Sequence, residues 1–173
     1  EENNPSIWAG FRFFNVYGYG EKHKGKMSSV LGHAFQQIND SGKVKLFRSH
    51  KKEIKDGLQK RDFILVDDII ALLYGLTVKT LPNGIYNLGT GTAKSFIELA
   101  DSVFHAMGKK KNIEFIDTPL AIRKNYQYFT QANVEKLRNA GFENQFTSLE
   151  RGSDIYWKRI KNEMSFSPLK QRG

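Results

Sequence analysis

The sequence predicts an α/β fold with a mixed lobe toward its C-terminal side. Apolar, β-branched or aromatic runs alternate with stretches of helical period. The segment from Gly84 to Met107 reads as strand, glycine turn and helix in succession. Several further strands are short, and a polar, basic stretch near the middle has no period, which argues against a complete doubly wound sheet.

In chain order, Phe11-Arg12-Phe13-Phe14-Asn15-Val16-Tyr17 reads as a buried strand. Such a strand needs partners on both sides, so residues upstream of Glu1 are expected to supply some of them, and the chain is expected to be a fragment. A charged loop follows Gly18-Tyr19-Gly20. Ser28 to Asn39 then reads as a helix, with Val30, Leu31, Ala34, Phe35 and Ile38 on one face and Gly42 beyond its end. Val44 to Phe47 is a short strand, and Arg48 to Lys60 a surface loop or hairpin. Phe63-Ile64-Leu65-Val66 is a second buried strand, after which Asp67 and Asp68 are expected to cap a helix running to about Val78. Gly84 to Leu88 is a strand, Ser95 and Glu98 have the spacing of a capping box opening a helix to about Met107, and Ile113 to Ile116 is a late strand. Gln131 to Ala140 reads as a short helix stopped at Gly141, and Thr147 with Glu150 as a second capping box opening a helix to about Asn162. Residues 1–162 are expected to form the structured portion and 163–173 an unstructured tail.

The chain has 173 residues, 27 Lys and Arg against 18 Asp and Glu, and a net charge of +9. That is one domain's length. With 39% hydrophobic and 13% aromatic residues it can bury a core, which argues against disorder over its whole length. No apolar run approaches the roughly 18 residues that span a bilayer, and Glu1-Glu2-Asn3-Asn4 is unlike a signal peptide, so a soluble, cytoplasmic chain without membrane insertion is expected. The absence of cysteine excludes disulfides, thiol catalysis and Cys-ligated metals. Most of the charge is local: from Lys22 to Arg61 eleven basic residues face three acidic ones, a surplus of +8, and three of the four histidines lie there too. Nucleic acid, anionic lipid or a phosphorylated small ligand would each answer such a charge.

Gly89-Thr90-Gly91 lacks the third glycine of a dinucleotide loop, so a tight turn is the better account. The histidines have no zinc spacing and no Gly-x-Ser-x-Gly elbow occurs, so neither a metal site nor a serine triad is expected. For His33, on a helix behind the basic stretch, a partly buried helix histidine and a ligand contact are both open. Asn15 to Gly25 joins a strand end to a glycine-rich turn and a basic cluster, and in open α/β sheets ligands bind at the C-terminal ends of strands.

Phe14-Asn15-Val16-Tyr17-Gly18, Lys60-Arg61-Asp62-Phe63-Ile64-Leu65-Val66-Asp67-Asp68 and Tyr86-Asn87-Leu88-Gly89-Thr90-Gly91 resemble, in order and separation, three signatures of the extended short-chain dehydrogenase/reductase superfamily of nucleotide-sugar epimerases and dehydratases. Within it, Glu21-Lys22-His23-Lys24-Gly25 and Tyr126 to Ala132 are similar to the ADP-heptose 6-epimerase family, which serves bacterial lipopolysaccharide core precursor synthesis. The resemblance runs from about Phe11 to Trp157. It implies the C-terminal part of a Rossmann-like parallel sheet plus a small mixed α/β substrate-binding lobe. The superfamily's Gly-x-x-Gly-x-x-Gly cofactor loop and Tyr-x-x-x-Lys pair do not occur in the sequence. The resemblance therefore implies an N-terminal half of the same enzyme as a partner, and a chain that is inactive alone.

It also implies a reaction, inversion at C6 of an ADP-heptose with NADP, or NAD, held mainly by that half. Hydride leaves C6 as its hydroxyl is deprotonated, the ketone turns over, and hydride returns to the other face. Two acid/base groups are implied, a tyrosine of the N-terminal half and Lys24. A lysine base must lose its proton near neutral pH, against a reference pKa of about 10.4. Burial, the nicotinamide charge and the neighbouring Lys22 and Lys26 would favour the neutral amine. Asn15, Lys26 and His33 are implied at the sugar or its diphosphate, and Phe47, Arg48, Ser49 and His50 beside the nucleotide. Arg61 would take a phosphate through its planar fork, Tyr126 would close the site, and Val16 and Lys24 would lie against the cofactor. Lys26 stands where the family carries a small hydroxyl residue. A homo-oligomer is implied as well. The alternatives are another epimerase or dehydratase of the superfamily, or a small basic nucleic-acid-binding module. The latter requires aromatics interleaved with the basic residues, and only Phe35 and Phe47 lie between Lys22 and Arg61.

Overall fold

The computed structural model describes residues 5–142 and 145–166. The first expected strand is two. β1 (Ala9–Phe13) runs parallel to β6 (Gly84–Leu88), with Ala9 opposite Gly84 and Phe13 opposite Leu88. The Phe14 N–H still donates to the Leu88 carbonyl, whereas the Asn15 carbonyl accepts from the Ile64 N–H. β2 (Val16–Tyr17) then runs parallel to β5 (Ile64–Leu65). Successive residues of an extended chain aim their backbone groups at opposite edges, so one segment can serve two neighbours. Nor is this segment buried throughout, for Phe13 is 54% exposed. A third parallel pairing joins β3 (Val44–Phe47) to β8 (Ile113–Ile116), and β4 (Lys60–Asp62) runs antiparallel to β7 (Ala93–Ser95). Parallel pairings with one antiparallel pair are the mixed α/β architecture that the sequence predicts.

Alternation around β5 builds two cores. Phe63 and Leu65 join Leu31, Phe35, Val103 and Phe104 in one, while Ile64 joins Leu72, Tyr86, Leu88 and Leu137 in the other. A strand covered on both faces has to be apolar at every position, which is why this run shows no polar alternation.

α1 (Val30–Ser41) opens at Ser29, whose Oγ accepts the Gly32 N–H at 3.0 Å, and closes at Gly42 in the left-handed conformation. α3 (Phe96–Met107) has its capping box: Ser95 Oγ accepts the Glu98 N–H at 3.1 Å, and the Glu98 carboxylate accepts the Ser95 N–H at 2.8 Å. α2 (Val66–Gly75) differs from expectation, with Asp67 and Asp68 in its first turn instead of at the cap, and with its end at Gly75, short of Val78. Both acids serve the far end of the chain. Asp68 accepts the Thr147 N–H and hydroxyl, each at 2.8 Å, and Asp67 takes the Arg159 fork at 2.7 and 2.9 Å.

Thr147 is thereby engaged elsewhere and the second capping box does not form. Ser148 Oγ accepts the Arg151 N–H instead, at 3.2 Å, at the start of α6 (Leu149–Phe166). α6 runs past Asn162, so residues 163–166 of the expected tail are helical, and 167–173 lie outside the described residues. α4 (Leu120–Arg123) is one turn, too short for a period to show. Between Gln131 and Ala140 only α5 (Glu135–Asn139) is helical. No described helix is long and apolar enough to cross a membrane.

Residues 131–134 are drawn out of helix by Asp62, which is fully buried on β4. Its Oδ1 accepts the Thr90 N–H at 2.8 Å and the Thr90 hydroxyl at 2.6 Å; its Oδ2 accepts the Gly91 N–H at 2.9 Å and the Ala132 N–H at 3.0 Å. Four donors thus meet two carboxylate oxygens. A Cβ on Gly89 would stand 2.8 Å from Oδ2 and 2.7 Å from the Ala132 methyl, so residue 89 has to be glycine. Gly89-Thr90-Gly91 is the expected tight turn, and the anion its amides cradle is the protein's own. Asp62→Ala strands one buried and two part-buried amides and should lower the unfolding free energy in urea by about 3 kcal/mol.

Candidate functional site

The residues singled out from the sequence lie on two pieces of structure joined through a strand end. The first piece begins where β3 stops. Gln59, fully buried, donates to the Phe47 carbonyl at 3.3 Å and holds that end in place. Beyond it, residues 48–59 make turns and form no hairpin. Asp56 turns this basic loop back on itself, accepting the Ser49 N–H at 2.7 Å and standing 3.6 Å from the Arg48 guanidinium, which also lies 3.8 Å from Asp117. Such half-exposed pairs orient Arg48 more than they stabilise the fold. The His50 N–H donates to the Tyr128 hydroxyl at 3.0 Å, and Lys51 Nζ sits 4.7 Å above the centre of the Tyr128 ring.

Arg61, on β4, carries its guanidinium 5.6 Å from the Tyr126 ring and 5.8 Å from the Phe96 ring. Nη1 donates to the Lys60 carbonyl at 2.8 Å and Nη2 to the Gln127 carbonyl. Two of five N–H groups are thereby engaged, leaving donors for an anion. Tyr126 meets Phe47 edge-on at 6.1 Å and Tyr128 edge-on at 5.4 Å. Arg61 and Tyr126 open onto a cleft of about 330 Å³ completed by Ala121, Ile122, Asn125 and Gln127. Burial lowers the Arg61 pKa, because a cation is costlier where water is scarce, and raises that of the Tyr126 phenol, an effect the Arg61 charge partly offsets.

The second piece is Lys22–Met27, a 3-10 helical turn broken at Gly25 where the sequence suggested an open loop. Lys24 and Lys26 are exposed on it, so the burial invoked to neutralise Lys24 is not supplied by the described residues. His33, half-buried on α1, has Nε2 3.3 Å from the Lys26 carbonyl, a contact that steadies the turn. Asn15 lies between the two pieces. Its amide donates to the Asp62 carbonyl at 3.1 Å, one residue from Arg61, and the half-buried Val16 follows it into β2. The structure therefore gathers Phe47, Arg48, Ser49, His50, Arg61 and Tyr126, and sets Lys24 and Lys26 on a turn of their own, with His33 beside them on α1.

Sequence reasoning passes over Tyr128, Asp62 and Glu21. Tyr128 is signalled by its two-residue spacing from Tyr126, and Asp62 by being an acid at the head of an apolar run. Glu21 looks like one more charge among many. A larger groove of about 540 Å³ lies at the start of α6, where Lys94 is met by Glu98 at 3.2 Å and Glu150 at 3.7 Å, so its charge is already matched. Among the described residues no three His, Asp or Glu side chains group to hold a metal ion.

Residues 4–89 match the NAD dependent epimerase/dehydratase family. Over 162 residues the chain is 41% identical to an ADP-L-glycero-D-manno-heptose-6-epimerase of Fusobacterium nucleatum, a match covering 90% of this chain and 49% of that protein. Over 148 residues it is 45% identical to the protein of the same name from Nitratidesulfovibrio vulgaris, covering 86% and 46%. The chain spans about half the length of the curated relatives it matches. The solved structure of the Helicobacter pylori ADP-L-glycero-D-manno-heptose-6-epimerase superposes with a TM-score of 0.71 at 27% identity, over 90% of this chain and 45% of that one. The Thermus thermophilus UDP-glucose 4-epimerase does so with 0.72 at 22% identity, over 90% and 47%, a likeness of fold. The parallel pairings are thus part of a Rossmann-like sheet. With the matched span running from β1 through the Lys22–Met27 turn and β4 to the glycine after β6, the chain belongs to the NAD dependent epimerase/dehydratase family.

Proposed function

We propose that the chain is the substrate-binding, C-terminal part of an ADP-glyceromanno-heptose 6-epimerase, holding an ADP-heptose while C6 is inverted. The observation that carries this reading is the clustering of Arg61 and Tyr126 at one cleft, with Phe47 to His50 beside them. A largely buried guanidinium among aromatic rings, with N–H groups to spare, suits a nucleoside diphosphate.

Arg61 would turn its remaining donors to a phosphate, each charge-assisted bond contributing about 1.5–3 kcal/mol once water is excluded. Phe47 and Tyr126 would pack on the nucleotide, flanked by Arg48, Ser49 and His50. Asn15, Lys26 and His33 would meet the sugar or its diphosphate. Lys24 would serve as the acid/base group for the C6 hydroxyl on one side and a tyrosine of the N-terminal half on the other, so that one takes the proton before the ketone turns over and the other supplies one after. As the base, Lys24 needs the neutral amine. Because its turn is exposed here, that desolvation has to come from the bound sugar and from the N-terminal half.

Of the cofactor, taken as NADP with NAD as the alternative, the described residues fit the nicotinamide end: Val16 is a half-buried apolar side chain at a strand end, whereas the amides of Thr90 and Gly91 are spent on Asp62. When bound, a nicotinamide supplies the acceptor and donor of the hydride.

The 173-residue chain alone should show no C6 inversion of ADP-heptose, since its sequence has neither the glycine-rich cofactor loop nor the Tyr-x-x-x-Lys pair; inversion by it alone would refute the division of labour. It should still bind ADP, and Arg61→Lys, which keeps the charge and loses the fork, should weaken that binding by about tenfold in calorimetric titration. Retention on heparin with a steep salt dependence and none on ADP-agarose would favour a nucleic-acid module. In the full-length enzyme Lys24→Ala should abolish inversion with the cofactor still bound; near-normal turnover would remove Lys24 from the mechanism.

A further inference from the structure

Glu21 is a buried acid, 6% exposed, at the head of the most basic stretch of the chain. Uncharged donors meet its carboxylate. Oε2 accepts the Ser29 N–H at 2.7 Å, and Oε1 accepts the Ser29 hydroxyl at 2.5 Å and the Tyr156 hydroxyl at 3.0 Å. Its backbone carbonyl accepts the Lys24 N–H at 2.9 Å and the Ser28 hydroxyl at 3.0 Å. One residue therefore bonds Lys24 directly, holds the opening of α1, and reaches α6 through Tyr156.

None of the six residues of the Lys22–Met27 turn is buried, so the turn is not held by its own packing. The Glu21 site is built tightly by comparison. A Cβ on Gly32 would stand 2.8 Å from Oε1, so α1 approaches the carboxylate at a glycine. Tyr156 is buried with its ring edge-on to Phe35 at 5.1 Å, and burial followed by the Glu21 charge raises its phenol pKa, keeping it a donor. A carboxylate at a helix N-terminus also suits the helix dipole. Glutamine would fit poorly, because its NH2 group would face donors where a carboxylate offers only acceptors.

We propose that Glu21 is a positioning residue for proton transfer by Lys24: its carboxylate, fastened to α1 by Ser29 and to α6 by Tyr156, fixes the turn from which Lys24 projects. This rests on the reading of Lys24 as the acid/base group.

The test is made in the full-length enzyme with Glu21→Gln and Tyr156→Phe, the second keeping the ring against Phe35. Glu21→Gln should lower kcat by about ten- to a hundredfold and Tyr156→Phe by about three- to tenfold, with KM for ADP-heptose changed by less than about threefold, since displacement of a catalytic group acts on the chemical step. Amide hydrogen exchange at Lys24 and Ser29 should quicken in both variants while α3 is unchanged. An unchanged kcat in the folded variants, a loss confined to KM, or a fall in kcat without faster exchange at Lys24 overturns the proposal. Lys24→Ala separates the two levels of the argument. If that variant turns over normally, the reading of Lys24 falls and the role of Glu21 with it; if it is inactive while Glu21→Gln keeps its rate, only the role of Glu21 falls.

Discussion

The four hydrogen bonds at the buried Asp62 carboxylate are the interaction on which the arrangement of the site depends. Taking a carboxylate out of water is costly, and it is tolerated where donors replace the lost hydration. Here the donors come from the turn after β6 and from Ala132, so the charge joins three parts of the chain that are distant in sequence. Its neighbours extend the effect. The Lys60 N–H bonds the Tyr128 carbonyl, the Lys60 carbonyl accepts the Thr130 N–H, and Arg61 reaches the Gln127 carbonyl. Three consecutive residues of β4 thereby hold residues 127–132, and Tyr126 meets Arg61 as a result.

What could be read in the sequence was what short-range chemistry decides. Ser95 and Glu98 bond each other within one turn, Gly42 ends its own helix, and the apolar run at Phe63 needs two covered faces wherever those faces come from. Reading failed where a cap-like residue is used at long range. Asp68 and Thr147 each look like the start of a helix, yet they bond to one another across 79 positions of sequence. The candidate site divides in the same way. Arg61 and Tyr126 were singled out through motifs and the residues from Phe47 to His50 through the resemblance those motifs carry, and all lie together in space. Glu21 was not, because its meaning lies in Tyr156, 135 residues away. The exposure of Lys24 was not legible either, since a basic stretch does not reveal which of its lysines packing will cover.

The charge surplus between Lys22 and Arg61 is only partly answered within the fold. Lys43 pairs with Glu114 at 2.5 Å, Arg48 stands near two acids, and Lys51 rests on a ring. Lys22, Lys24, Lys26, Lys52 and Lys55 stay exposed. A field left unbalanced on one side of a molecule attracts anions from beyond contact range and is weakened by salt. On the reading proposed above, the loop charges act on the rate of encounter, while the buried Arg61 acts on what is held.

The strand pairings have a consequence for how the molecule comes into being. Ala9 pairs with Gly84, Val16 with Ile64, Val44 with Ile113 and Asp62 with Ala93, so even the nearest of these partners stand 31 positions apart. None of these pairings is a hairpin that could close early, and each requires a long loop to be ordered before its first ladder bond forms. Helical bonds are local and carry no such loop cost, whereas the apolar strands around Phe63 need partners distant in sequence. An apolar strand whose partners are not yet in place can pair with other chains, so the gathering of the Phe63 to Leu65 run, directly beside the β4 segment that organises the site, is the step most exposed to aggregation.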